Sequence, residues 1–258
     1  MKDIPLLLIH GYPFDHTMWF STIASLGSKA KVIAPDLPGF GKAPPLFDSK
    51  PSITAYADFL ADHLDENKHD KVAIAGMSMG GYVALAFAEK FRDRILGLGL
   101  ISTQAAADTS EARQARKDMI EKIREKGSAV AADAIVPKVF AQNRPSNPEL
   151  WKYLEQGAER AGTKGLTWAL QAMAGRPDRS NFLAELDCPV LIVHGTEDAI
   201  IPISKARATA DLCQKPSFVE ITGAGHATPL EAPDQVANAL VHLTNASREA
   251  MPPEPNPT

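Results

Sequence analysis

Val72-Ala73-Ile74-Ala75-Gly76-Met77-Ser78-Met79-Gly80-Gly81-Tyr82-Val83-Ala84-Leu85-Ala86-Phe87-Ala88 is the stretch that decides the fold. It opens as a short apolar run, passes through Gly-x-Ser-x-Gly, and continues with helix-like composition. A serine in that setting sits on a strained strand-to-helix turn, its hydroxyl pushed out at the edge of a sheet. Both glycines are needed because the turn brings their α-carbons against neighbouring backbone, where a Cβ would clash. The alternative, an ordinary serine in a glycine-rich turn, leaves the flanking strand and helix without a role.

Outward from this turn, short apolar runs alternate with helical patterns, which predicts βα units and a parallel sheet. Six strands are expected: Leu6–His10, Lys31–Pro35, Val72–Met77, Ile95–Ser102, Val190–Gly195 and Phe218–Ile221. Most are continuous apolar runs, the pattern of strands covered by helices on both faces. Helices are expected at Met18–Leu26, Ile53–Leu64 (capped by Thr54 or Ser52), Tyr82–Phe91, Lys205–Leu212 and Asp234–Leu243. The alternation stops between Gln104 and Leu183. There Glu111–Lys126, Val130–Phe140, Glu149–Ala161 and Leu166–Ala174 are all helical in pattern.

This segment is expected to be a helical cap, inserted after the fourth strand and lying over the carboxyl ends of the sheet. The predicted organisation is a core of residues 1–103 and 184–244, a cap of 104–183 and a disordered tail of 245–258. Pro252, Pro253, Pro255 and Pro257 stand in that tail among polar residues.

Composition narrows the function. The 258 residues are 45% hydrophobic and 22% charged, enough for one large α/β domain with an insertion. A net charge of −4 with no basic block argues against nucleic acid and anionic membrane surfaces as partners. Two cysteines, Cys188 and Cys213, make no disulfide framework and fit a reducing compartment. They read as small buried hydrophobes. The first apolar run, Leu6–Ile9, is too short for a signal segment, and no stretch approaches a membrane span. A cytoplasmic location is the expectation.

A serine hydroxyl is a weak nucleophile at neutral pH and needs a base, which in turn needs an orienting acid. A serine of this strand–turn–helix type draws its acid and then its histidine from later in the chain. The acid candidate is Asp198, just past the fifth strand in His194-Gly195-Thr196-Glu197-Asp198, with Glu197 as its rival. The base candidate is His226 in Gly223-Ala224-Gly225-His226, past the sixth strand. His63, His69 and His242 lie on polar helical faces or nearby loops, and His16 in a loop. Two backbone amides complete the set by stabilising the negative oxygen that develops during attack, each worth roughly 3–4 kcal/mol. Met79, directly after Ser78, supplies one, and Tyr12, in the loop His10-Gly11-Tyr12-Pro13 after the first strand, the other. This chemistry requires no cofactor, and no His/Cys cluster has metal-ligand spacing.

His10-Gly11-Tyr12-Pro13, Asp36-Leu37-Pro38-Gly39-Phe40-Gly41, Gly76-Met77-Ser78-Met79-Gly80-Gly81, His194-Gly195-Thr196-Glu197-Asp198 and Gly223-Ala224-Gly225-His226 occur in the order of the α/β-hydrolase superfamily, which the chain resembles. The resemblance spans nearly everything outside the tail. It implies a Ser78–Asp198–His226 triad, with the acid second in the Glu197-Asp198 pair.

The chain looks most like the small esterases and lactonases that include 3-oxoadipate enol-lactonase. His10–Trp19 and Ala174-Gly175-Arg176-Pro177-Asp178 carry that impression. The family's usual additional strand pair before the His-Gly strand is missing, since only Met1–Pro5 precede it. A six-stranded sheet is therefore expected.

The implied reaction is hydrolysis of a small carboxylic ester or lactone through an acyl-enzyme. A carbon–carbon bond hydrolase or perhydrolase would use the same triad. A non-catalytic binding protein on this fold would lack a triad member. The substrate is expected to lie under the cap, with Met77, Trp151, Trp168 and Met173 as pocket candidates, although helical spacing of the cap residues equally fits simple packing. Arg144 or Arg176 is the candidate for an acidic substrate group.

Overall fold

The six strands are β1 (Pro5–Ile9), β2 (Lys31–Ile33), β3 (Val72–Met77), β4 (Ile95–Ile101), β5 (Val190–Gly195) and β6 (Pro216–Ile221). The computed structural model describes residues 4–46, 48–142 and 148–250. All five neighbour pairings are parallel, in the order β2-β1-β3-β4-β5-β6. The central strands β3 and β5 are buried at every residue, which is why they read as unbroken apolar runs. The edge strand β6 is half-exposed, and its apolar run is correspondingly short.

Helix α1 (Phe20–Leu26) packs against α10 (Pro233–Glu249), and α2 (Ile53–Glu66) against α3 (Met79–Lys90). Right-handed crossovers put these two pairs on opposite faces of the sheet. Ser52 caps α2 by accepting a hydrogen bond from the Ala55 amide at 3.0 Å. Helix α8 (Ile203–Asp211) covers β5 and β6, and the one-turn α9 (Thr228–Glu231) stands between β6 and α10. The chain reverses its direction of travel across the sheet between β1 and β3. In doubly wound sheets ligands gather at that switch point, outside the carboxyl ends of the strands.

Between β4 and β5 stand α4 (Ser110–Lys126), α5 (Ala129–Val139), α6 (Pro148–Ala174) and the short α7 (Ser180–Glu185). Helix α6 is broken at Gly162, whose φ of 60° is left-handed. The break divides two helical patterns visible in the sequence, Glu149–Ala161 and Leu166–Ala174. The cap is tied to the core by Arg160, which bonds Asp15 Oδ2 through Nε at 3.0 Å and Nη2 at 2.7 Å.

The expected tail begins too early. Helix α10 continues through Asn245 to Glu249 because Thr244 and Ser247 are buried, with the Ser247 hydroxyl bonded to the Leu243 carbonyl at 2.8 Å. Ser247 packs where Gly97 of β4 leaves room for it. The proline-rich residues 251–258 lie outside the described residues. Among the described residues no helix is long and apolar enough to cross a membrane.

Candidate active site

Ser78 stands between β3 and α3 with φ 53° and ψ −113°, a conformation that costs a non-glycine residue roughly 1–3 kcal/mol. The surroundings hold it there. Its amide donates to the Ile101 carbonyl at 2.9 Å, and its carbonyl accepts the Thr103 hydroxyl at 2.9 Å and the Gly81 amide at 2.9 Å. A Cβ on Gly76 would collide with the Gly80 carbonyl, and one on Gly80 with the carbonyl of Ile9. The two glycines let the turn close against itself and against β1.

Asp198 follows β5 and is completely buried, whereas Glu197 beside it is exposed. Asp198 Oδ1 accepts the amides of Ile200 and Ile201, both at 2.8 Å. Its Oδ2 faces His226 Nδ1 at 2.7 Å and His194 Nε2 at 3.1 Å. Burial, the largest single influence, raises its pKa. The field of His226 and the hydrogen bonds from His194, His226 and the Ile201 amide outweigh it and hold the carboxyl well below the usual range.

His194 has no role in the sequence reading beyond its place in a motif. Its Nε2 also lies 2.7 Å from the Ile201 carbonyl, which can only accept, so Nε2 carries the hydrogen. Only the burial of β5 brings that nitrogen to the carboxylate. No spacing rule in the sequence announces it.

His226 sits in the loop after β6. Its amide and that of Ala227 both donate to the Val139 carbonyl at the end of α5, each at 2.9 Å. Glu231 braces the same loop, accepting the Gly225 amide at 2.9 Å and the Ala141 amide at 3.0 Å. The imidazole therefore places Nδ1 on Asp198 and Nε2 at 2.9 Å from Ser78 Oγ. An ionised carboxylate only accepts, so Nδ1 bears the hydrogen and Nε2 is free to take the serine proton. Histidine 16 instead bonds Asp36 Oδ1 through Nδ1 at 2.7 Å, away from this trio.

Gly11 brings the loop after β1 against this turn: a Cβ added there would lie 3.5 Å from Ser78 Cβ. Tyr12 is the next residue. Met79 is the first residue of α3, so its amide has no helical acceptor four residues back. A positive helix terminus thus opens beside the hydroxyl.

A cavity of about 340 Å3 lies between the sheet and the cap and is lined by Ser78, His226 and Tyr12. That size suits a small molecule. Of the four pocket candidates only Met173 lines it. Met77 is wholly buried against Gly11 and does not line the cavity. Trp168 turns toward α2, its ring 4.7 Å from that of Tyr56 and its indole N–H 3.4 Å from the Ser49 carbonyl. Trp151 is 41% exposed and lines a surface hollow with Pro148, Lys152 and Glu155. Of the three candidates on α6, Trp168 serves packing, Trp151 lies at the surface and Met173 meets the cavity. Arg144 lies outside the described residues, and Arg176 is buried under the cap rather than lining the cavity. Arg116 of α4, not singled out in the sequence, does line it.

One acidic cluster, Asp15, His16 and Asp36, brings ligand-type atoms within 4.8 Å of one another. Its oxygens are already engaged. Asp36 accepts from the His16 and Lys42 amides at 2.8 and 2.9 Å, and Asp15 from Thr17 and Arg160. Burial raises the pKa of Asp15, Asp36 and Asp108, but the hydrogen bonds and cations they gain in the fold lower it further.

A carboxyl whose folded pKa is depressed stabilises the fold above its unfolded value, near about 4, and loses that contribution as pH falls through the folded one. The melting temperature is therefore expected to hold from neutral pH to about pH 5 and to drop by roughly 5 °C or more by about pH 3. Calorimetry across that range checks it, and a level trace would contradict it.

Comparison with known proteins places this geometry in a family. The sequence matches the α/β hydrolase fold family over residues 4–233. A thermophilic esterase from Thermogutta terrifontis, solved with malate bound, is 35% identical, with a TM-score of 0.90 over 95% of this chain and 91% of that one. The enol-lactonase of Burkholderia xenovorans LB400 superposes with a TM-score of 0.85 over 95% of this chain and 92% of that one, at 22% identity, a likeness of fold. The dihydrolipoyllysine-residue acetyltransferase component of the acetoin cleaving system of Pseudomonas putida is 30% identical over 92% of this chain, which spans 62% of that relative's length. On the strength of the profile match and the strand-turn-helix serine, the chain belongs to the α/β-hydrolase fold family.

Proposed function

We propose that the protein is a serine hydrolase that cleaves a small carboxylic ester or lactone. The observation that carries the reading is the continuous line from Ser78 Oγ to His226 Nε2 at 2.9 Å and from His226 Nδ1 to Asp198 at 2.7 Å. His226 takes the Ser78 proton as Oγ attacks the carbonyl carbon. The negative oxygen points toward the amides of Tyr12 and Met79. Collapse of the tetrahedral adduct breaks the ester C–O bond, and His226 returns the proton to the departing alkoxide. In a lactone that alkoxide stays tethered to the acyl group. Water, deprotonated by His226, then splits the acyl-enzyme and restores Ser78. Asp198 keeps the imidazole in the tautomer the first step needs and offsets its charge once protonated.

A fluorophosphonate reacts with a serine activated in this way and leaves a stable adduct. Stoichiometric labelling that maps to Ser78, with turnover of short p-nitrophenyl esters or of simple lactones, is the expected result. Absence of labelling at Ser78, with no hydrolysis across the panel, would refute the proposal. Including dienoate substrates separates ester from carbon–carbon cleavage.

A further inference from the structure

The cavity lining carries charge as well as apolar side chains such as Ile200 and Ile201. Apart from His226, its charged members are Asp108 and Arg116. Asp108 is shared by two guanidinium groups: Arg116 Nε lies 2.6 Å from Oδ2 and Arg176 Nη1 2.6 Å from Oδ1. Arg176, which does not line the cavity, has both Nη atoms engaged, while its buried Nε has no partner among the described residues. It donates to the carbonyls of Met173 and Ala106, each at 3.0 Å, and lies 3.8 Å from the centre of the Tyr82 ring. Asp178, a second carboxylate in its field, is exposed and accepts the Ala107 and Ser180 amides.

Arg116 does line the cavity, and its two Nη atoms are only loosely held. Beyond its Nε bond, Nη2 reaches Asp108 only at 3.5 Å, and Nη1 meets the weak acceptor Met173 Sδ at 3.4 Å. A guanidinium carries five N–H donors and keeps its charge at any physiological pH. One buried carboxylate between two arginines thus leaves a surplus positive charge, with underused donors, beside the cavity that holds Ser78. The Arg116 side chain keeps 22% of its surface exposed, so an anion entering the cavity can reach it and complete the arrangement.

We infer that Arg116 receives a carboxylate on the substrate, so that the preferred esters or lactones are those bearing a free acid group. This rests on the reading of Ser78 as the nucleophile. Two parallel N–H···O bonds from the Nη atoms would fix the acid end and, through it, the distance of the scissile carbonyl from Ser78. A guanidinium that merely fastened α4 to the loop before it would influence stability and leave selectivity unmoved.

The test compares mono-p-nitrophenyl esters of dicarboxylic acids of increasing length with the matched neutral esters. In the wild-type protein kcat/KM should favour the acid ester at one or more lengths by about tenfold or more. In Arg116→Met that ratio should collapse by about the same factor, mainly through KM, with Arg116→Lys intermediate. Preference for the neutral ester at every length, or an unchanged ratio in Arg116→Met, would overturn the inference. If neutral esters are turned over and Ser78 is labelled while the ratio stays flat, this inference alone fails. If nothing is hydrolysed and Ser78 is not labelled, the nucleophile reading fails and takes this one with it. Should Arg116→Met not fold, dicarboxylates must slow fluorophosphonate labelling of the wild-type protein more than their diamides do; equal protection would overturn it.

Discussion

Replacing Ser78 with alanine should lower kcat on a short ester by roughly 10^5-fold or more, because nothing else in the cavity offers an activated nucleophile. Hydroxyl loss is cheap for the fold. The side chain's hydrogen bond is to His226 Nε2, while the bonds that hold the turn are made by the Ser78 backbone. Alanine tolerates the strained backbone no worse than serine. The melting temperature should therefore stay within about 3 °C of wild type. Steady-state kinetics and calorimetry on the same preparation check both halves. Turnover within tenfold of wild type would remove Ser78 from the mechanism.

Exchanging Asp198 for asparagine is expected to cost about 10^4 in kcat without dismantling the loop. The Ile200 and Ile201 amides claim whichever atom is an acceptor, so the asparagine oxygen turns to them. Its NH2 then faces His226 Nδ1 and His194 Nε2, where a carboxylate oxygen accepted before. Two donors cannot face each other, and His194 can keep its Nε2 hydrogen on the Ile201 carbonyl, so the change falls on His226. His226 is driven to the tautomer with its hydrogen on Nε2, which has no lone pair for the serine proton. Nitrogen-15 spectra of the imidazole read that tautomer directly. A variant that retained the Nδ1–H form and near wild-type kcat would show that Asp198 does not set it.

The fold was legible because its signals are local. The glycines around Ser78, the unbroken apolar runs of β3 and β5, and the loss of alternation after β4 each have a short-range cause. Strand ends agree within two residues. Boundaries drifted where packing at a distance decides, as at α10, whose last turns are held by Ser247 against Gly97. Ser78, Asp198 and His226 stood out through motif order. The pocket did not, because the sequence tells which residues of α6 share a face but not which neighbour that face meets. Trp168 met α2 and Met173 met the cavity. Arg116 was hidden for the same reason: on a helix rich in charge, one arginine looks like the rest until Asp108 and Met173 close around it.

The shared acceptor at Val139 carries a consequence for how such proteins diversify. Exchanging the lid-forming segment between relatives is an obvious route to a new substrate range. Here the donor segment must also bring a carbonyl to the spot where the two amides of the imidazole-bearing loop converge. A graft that reshaped the chamber but left those amides unanswered would lose turnover on every substrate alike, old or new. On the proposed mechanism, chamber shape and proton transfer are mechanically linked, and only grafts that keep the α5 terminus in place can change one without the other.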